Sequence, residues 1–179
     1  MTADELLSLY SSGERDFSNV TLKRASLEGV DLRGINLAGA NLNRARMSAV
    51  NLEGANLSGA LLDRADLTNA ILVRANLTAA IMGSTRLIGA DCSEADLTNA
   101  QMYCALLDTA RFERAILINT DLGTTTIAGT VFREANMRGC NLEEAIGSAD
   151  FTRSNLTGAT ITEIETRLKG STFDQATLS

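Results

Sequence analysis

The sequence predicts a repeat protein in which one short unit winds around an axis and builds a narrow tube. A large apolar residue, mostly leucine, occupies every fifth position from Phe17 to Leu142. Alanine dominates the position two residues earlier, and asparagine or aspartate is favoured just before the large residue. A period of five fits neither the 3.6 residues of an α-helix nor the alternation of a β-strand. Each unit is therefore a corner followed by a short edge.

Each column of the repeat has a physical role in such a tube. The large residue fills the axis, and alanine lets the wall approach it. An asparagine or aspartate side chain bonds to its own backbone in a turn, and glycine at the last position adds backbone freedom. Proline is absent, as expected where backbone N–H groups must bond to the neighbouring coil. The consensus Ala-(Asp/Asn)-Leu-x-x recurs in about 26 copies.

This pattern resembles the pentapeptide-repeat family over nearly the whole chain. The resemblance implies an all-β solenoid, namely a right-handed quadrilateral β-helix in which four pentapeptides make a coil of twenty residues. Coils stacked about 4.8 Å apart would form a rod roughly 35–40 Å long. The stretch from Glu5 to Phe17 is similar to the N-terminal cap of cyanobacterial members of the family.

The N-terminus predicts a short capping α-helix near residues 3–12. Thr2 and Glu5 have the spacing of a capping box, and Gly13 is placed to end the helix. Leu6, Leu9 and Tyr10 are expected on one face of this helix. The predicted organisation is a cap over 1–14, the repeat over 15–161 and an irregular segment over 162–179.

The C-terminal end departs from the period of five. Leu142 and Phe151 are nine residues apart, which indicates one dropped residue around Gly147. Ile161 and Leu168 are seven apart, so two residues are inserted there. A second capping box over 162–165 leaves two interpretations open: a bulge or short helix before one last partial coil, or a small C-terminal cap. This end is also a candidate for a weak homodimer contact.

Composition excludes most catalytic chemistry. The chain has no histidine, the usual acid or base near neutral pH and the commonest metal ligand. We therefore expect no enzyme, no metal and no cofactor. A net charge of −6 disfavours direct binding to nucleic acid. No apolar stretch predicts a membrane helix, and three unevenly spaced cysteines favour free thiols in the cytoplasm. Cys104 is expected to face outward, where a reactive thiol is an alternative to a plain surface residue.

Two surface clusters are candidate partner sites. Leu61, Ile81 and Tyr103 are expected to form an exposed apolar strip, and such patches often mark interfaces. The second cluster stacks like charges at twenty-residue spacing and comprises Arg24, Arg44 and Arg64. Such stacking costs stability unless something anionic compensates it. The alternatives are isolated surface apolar residues for the first cluster and neutralisation by Asp63 for the second.

We therefore predict a non-enzymatic scaffold that presents rigid faces to an unknown protein partner. The resemblance adds an alternative, a DNA-mimicking inhibitor or protector of DNA gyrase, a type II topoisomerase. Residues 1–89 carry nine acids and nine bases, whereas residues 90–179 carry thirteen acids and seven bases. The negative charge therefore lies in the second half, as mimicry would require. Arginines interrupt this half, among them Arg111 and Arg133, and they count against mimicry.

Overall fold

The computed structural model describes residues 1–161 and 167–178. Its named elements are α1, Ala3–Ser11, and two strands paired in parallel, β1, Thr130–Val131, and β2, Ala149–Asp150. The other pairings in the described part of the chain are single-residue parallel bridges. A corner every five residues ends each strand after one or two paired positions, which explains why so few residues qualify as strand.

The bridges run in four ladders that start at Asp16, Thr21, Ser26 and Asp31, and they join residues twenty apart as far as Ile146. We call each twenty-residue stretch a coil. Backbone bonds hold successive coils together, as where the Leu22 N–H donates to the carbonyl of Asn41 at 2.8 Å. The predicted twenty-residue coil thus appears as a pairing register, while the hand of the winding and a four-sided section stay predictions.

Inside the coils the large residues and the alanines are almost completely buried. Each buried leucine contributes on the order of 1.5–3 kcal/mol of transfer free energy. Towards the C-terminus, four phenylalanines replace leucine in one column and stack at centroid distances of 4.9–5.2 Å; they are Phe112, Phe132, Phe151 and Phe173. This stack crosses both irregularities of the period, so the core stays continuous.

The corner chemistry follows the predicted roles. The Asn56 side-chain oxygen accepts from the Ser58 N–H at 3.1 Å, and the same bond recurs along the chain. The last position of most units has a positive φ, as at Gly59 with 62°. Arginine also occupies this position, with φ of 61° at Arg24 and 60° at Arg44. These arginines therefore have a left-handed backbone conformation, which glycine and asparagine adopt more readily.

Helix α1 begins with the predicted capping box. The Thr2 N–H donates to Glu5 Oε2 at 2.7 Å, and the Glu5 N–H donates to Thr2 Oγ1 at 3.1 Å. Leu6 is buried in the core, and the Tyr10 hydroxyl donates to the Arg33 carbonyl at 2.9 Å. Leu9 shares this helical face but lies at its edge, where its side chain is exposed.

The pairing register confirms both irregularities of the C-terminal end. Thr126 pairs with Ile146 at twenty residues, whereas Thr130 pairs with Ala149 at nineteen. Asp150 then pairs with Thr172, twenty-two residues on. The predicted capping box over 162–165 lies outside the described residues. The domain boundaries at 14 and 161 stay predictions.

Candidate functional site

One ladder places both predicted clusters on the same side of the chain. It runs through Thr21, Asn41, Leu61, Ile81, Gln101, Asp121 and Asn141. The arginine column lies three residues after each early member of this ladder, and Tyr103 lies two residues after Gln101. We call this side face A; it comprises the ladder residues and the residues two and three positions after each. Sequence reasoning treated the two clusters as separate surfaces.

Face A begins with a basic end that consists of Lys23, Arg24, Arg44 and Arg64. These four side chains line a groove of about 530 Å³ together with Asn43, Asp63, Gly83, Ser84 and Tyr103. Within the part of the chain that the structure describes, none of the four cations has a carboxylate within 4.0 Å. Asp63 lines the groove without pairing with them, so the predicted neutralisation by direct contact is absent among those residues.

The middle of face A is apolar, and one of its side chains, that of Tyr103, is exposed to solvent. Leu61 and Ile81 pair in the ladder and are only partly exposed. They are less exposed than predicted because neighbouring ladder side chains cover each other. Tyr103 is 45% exposed. Its ring occupies the space above Gly83, where an added Cβ would lie 2.6 Å from Tyr103 Cζ.

Face A ends in an acidic region formed by Asp121, Glu143 and Glu144. A second groove, of about 240 Å³, is lined by these three acids and by Tyr103, Gly123, Thr124 and Asn141. Tyr103 borders both grooves, which makes the strip continuous from Lys23 to Glu144. The Asp121 carboxylate accepts from the Gly123 N–H at 3.0 Å and from Asn141 Nδ2 at 2.9 Å. In the described residues, none of the three acids forms an ion pair.

A second side distributes its charges in the opposite way. We call it the paired face; its ladder runs from Asp31 through Asn51, Ile71, Asp91, Arg111 and Val131. Arg114 pairs with Glu94 on the next coil at 2.7 Å, and Arg133 pairs with Asp150 at 2.5 Å. Twenty-residue spacing places Arg74, Glu94, Arg114 and Glu134 in one column of alternating charge. Within it Arg114 pairs with Glu94 as this spacing predicts, whereas Arg74 bonds to Glu53.

Asp150 is the most strongly held acid of the paired face. Burial raises the pKa of its carboxyl, but hydrogen bonds from Thr152, Arg133 and Thr172 outweigh burial and hold the pKa well below its usual range. The carboxylate therefore stays charged and bonded at any ordinary pH.

The cysteines and inward threonines have structural contacts. Cys92 and Cys140 are buried, and burial raises the pKa of the Cys140 thiol to about 12. The buried Thr120 hydroxyl donates to the Leu97 carbonyl at 2.8 Å, so this inward polar group is bonded to backbone. Cys104 is exposed on face A as predicted, with Sγ 3.0 Å from Thr124 Oγ1.

No group of three or more cysteines and carboxylates in the described residues could hold a metal ion. No described helix is both long enough and apolar enough to cross a membrane.

The family model for pentapeptide repeats matches this chain in eight copies, over residues 16–54, 45–83, 82–114 and 105–146. No curated protein sequence matches the chain.

Several solved structures are similar to this chain. HetL from Nostoc sp. strain PCC 7120, a pentapeptide-repeat protein involved in heterocyst differentiation regulation, is 26% identical, with 99% of this chain and 95% of HetL covered and a TM-score of 0.43. The fluoroquinolone resistance protein QnrB1 is 16% identical over 92% of this chain and 91% of its own, with a TM-score of 0.45. Rfr23 from Cyanothece 51142 is 24% identical over 98% of both chains, with a TM-score of 0.25.

Proposed function

Because this chain belongs to the pentapeptide-repeat family, we propose that it is a non-enzymatic scaffold that binds a protein through face A. We also propose that its coils form a right-handed, four-sided β-helix. Rigid stacked coils would present the residues of face A at fixed spacing. Three free cysteines support a reducing, cytoplasmic setting.

One observation carries the proposal: face A keeps its charges unpaired in the described residues, whereas the paired face neutralises its own. Like charges on adjacent coils repel each other, so the arginine column lowers the stability of the free protein. A partner surface with complementary charge would remove that cost. Complementary charge also steers encounter and selects partners.

The half-buried apolar residues at the centre of face A support a binding role as well. Interfaces combine an apolar, aromatic-rich centre with a polar or charged rim. Face A has this arrangement along one strip, with Leu61, Ile81 and Tyr103 between the two charged ends. Tyrosine is among the residues that most often carry binding energy at interfaces.

The test is affinity capture from lysate of the native host with the full chain as bait. The Leu61→Lys/Ile81→Lys variant changes face A, and Ile71→Lys/Ile116→Lys is the matched control on two other ladders, at side chains with 40% and 38% exposure. We expect wild type and control to retain the same proteins, including native copies of this chain, and the face A variant to lose them. Circular dichroism confirms that each bait is folded.

Equal capture by all three baits would overturn the assignment to face A. Recovery of topoisomerase subunits in such an equal pattern would instead favour the DNA-mimic alternative. Turnover of a substrate that disappears with a single surface substitution would contradict the non-enzymatic assignment.

A further inference from the structure

We propose that two copies of this chain bind each other through face A, antiparallel, about a two-fold axis that passes through the coil of Gly83 and Ser84. This inference rests on the proposed function, since it names a second copy as the protein bound there. The C-terminal end, the other candidate for self-association, stays a prediction.

The charges of face A are complementary to themselves under this symmetry. Its charged residues are four bases and four acids, namely Lys23, Arg24, Arg44, Arg64, Asp63, Asp121, Glu143 and Glu144. Asp63 lies among the bases, so the basic end is net positive and the acidic end net negative. Lys23 and Arg24 stand three coils before the axis, and Glu143 and Glu144 stand three coils after it. The two-fold axis therefore sets each end against its opposite.

The spacing matches because both ends are built on the same ladder. Arg24 and Glu144 are six coils apart, about 29 Å at the spacing of paired strands. The second copy is antiparallel, so its acidic end lies against the basic end of the first copy and its basic end lies against the acidic end of the first copy. One coil closer to the axis, Arg44 faces Asp121 of the other copy.

The centre of the strip fits the same arrangement. Ile81 lies on the coil of the axis, with Leu61 and Tyr103 on the coils to either side. Gly83 lies beneath the Tyr103 ring, and an added Cβ would lie 2.6 Å from Tyr103 Cζ. Its φ is not in the left-handed region, so backbone conformation does not require this glycine. Without a side chain at Gly83, the Tyr103 ring lies flat at the centre of the strip, where it would contact the second copy.

Other arrangements match face A less well. A parallel pair would set basic end against basic end and acidic end against acidic end, which costs free energy in both regions. A head-to-tail contact would join face A to a different surface and would build a ring or an open filament, not a closed pair. The antiparallel two-fold arrangement satisfies both ends and closes with two copies.

The size of the strip predicts a weak dimer. Face A spans about 29 Å along the coils and is about three residues wide, so two copies would bury on the order of 600–800 Å² in total. That is below the range of stable complexes and typical of transient ones. Because charged ends dominate the contact, salt should weaken it strongly.

The main experiment is sedimentation velocity with charge-reversed variants. Lys23→Glu/Arg24→Glu makes both ends of face A acidic, and Glu143→Lys/Glu144→Lys makes both ends basic. We expect wild type to dimerise at about 100 µM in low salt, and its dissociation constant to rise at least about tenfold at ~0.5 M salt. Each variant alone should be monomeric, and an equimolar mixture of the two should form heterodimers. The mixture also shows that neither variant has simply misfolded.

A second experiment leaves the charges unchanged. In a Cys104→Ser background, Ser84→Cys puts a thiol on the coil of the axis, and Ala79→Cys is the matched control on the same coil. Both positions have the same backbone conformation, with φ of 55° and 54°, but Ala79 belongs to another ladder. A short bismaleimide should cross-link the Ser84→Cys variant to a dimer and leave the Ala79→Cys variant monomeric.

A monomeric wild type at 100 µM, a mixture that stays monomeric, or equal cross-linking at both positions would overturn the dimer. Capture of a different protein that is lost with Leu61→Lys/Ile81→Lys would then leave the proposed function standing. If the wild-type protein neither self-associates nor captures a partner through face A, the dimer and the proposed function are both overturned.

Discussion

Face A and the paired face are built on the same backbone, yet they use charge in opposite ways. On the paired face, arginines form ion pairs with acids of the same coil or of a neighbouring coil, as Arg114 does with Glu94 at 2.7 Å. On face A the bases lie at one end and most acids at the other, with Tyr103 between the two grooves. One surface is neutralised internally, whereas the other needs a partner to be neutralised. Repeat architecture permits both because only the inward columns are fixed by folding.

The largest expected effect lies in the core beneath the paired face. Phe132→Ala would remove the middle of the phenylalanine stack and lower the free energy of unfolding by about 3–5 kcal/mol. Chemical denaturation measures this loss. Self-association of the protein that stays folded should be unchanged, since face A lies over other columns. Loss of dimer at equal folded concentration would show that the two faces are not independent.

A smaller effect separates two glycines. At Gly147, with φ of 118°, an added Cβ would lie 2.6 Å from the Ala128 backbone nitrogen, so Gly147→Ala should cost about 2 kcal/mol or more. At Gly83 the obstacles are the ends of the Tyr103 and Asp63 side chains. These ends can move, so Gly83→Ala should change stability by less than about 0.5 kcal/mol.

Gly147→Ala should have the larger effect on stability, whereas Gly83→Ala should have the larger effect on the dissociation constant of the dimer. Gly83→Ala displaces Tyr103 in the middle of face A and should raise the dissociation constant, while Gly147→Ala should not. Thermal melting and sedimentation measure the two properties. A Gly83→Ala protein that dimerises as well as wild type would count against a contact between the two copies through Tyr103.

Asp150 gives the paired face a pH dependence. Its folded-state pKa is held below the ordinary value, so its stabilisation is present above about pH 4 and is lost as pH falls below that value. Asp150→Asn should lower stability at pH 7 by about 0.5–1 kcal/mol. It should also flatten the loss of stability between about pH 4 and pH 2. Urea denaturation across this range checks both, and a slope as steep as that of wild type would contradict the assignment.

The smallest expected effect compares two arginines at one position of the repeat. Arg44 and Arg114 have similar φ, 60° and 56°, so replacement by glycine relieves the same backbone strain in both. Arg114→Gly also loses the bond to Glu94, a surface pair worth about 0.2–1 kcal/mol. Arg44→Gly also relieves the repulsion from Arg24 and Arg64, so it should be the more stable variant by at least about that amount at low salt. Equal melting temperatures at low salt would indicate that the pair contributes nothing.

The sequence predicts the columns well because period and burial are linked. Twenty-residue spacing assigns Arg24, Arg44 and Arg64 to one column, and the nine- and seven-residue intervals locate both changes of register. It does not predict which neighbours bond. Arg74 could reach Glu94 by column, but its side chain reaches Glu53, since a long side chain selects among several acids.

The sequence also did not reveal that the two candidate clusters share face A. Residues on different columns of one side can be assigned to a surface only when the corner geometry is known. The signal was present as the twenty-residue period itself, because Leu61 and Arg64 belong to the same pentapeptide corner. What the period could not supply is the exposure of each side chain, as the half-buried Leu61 shows.

The most direct test of the account is hydroxyl-radical footprinting of the wild-type protein over a range of concentrations. The chain has two tyrosines, Tyr10 and Tyr103, and no tryptophan, so the first serves as an internal reference for the second. The account predicts that oxidation of Tyr103 falls as the concentration rises towards about 100 µM, while oxidation of Tyr10 stays constant. Constant oxidation of Tyr103 over that range would contradict it.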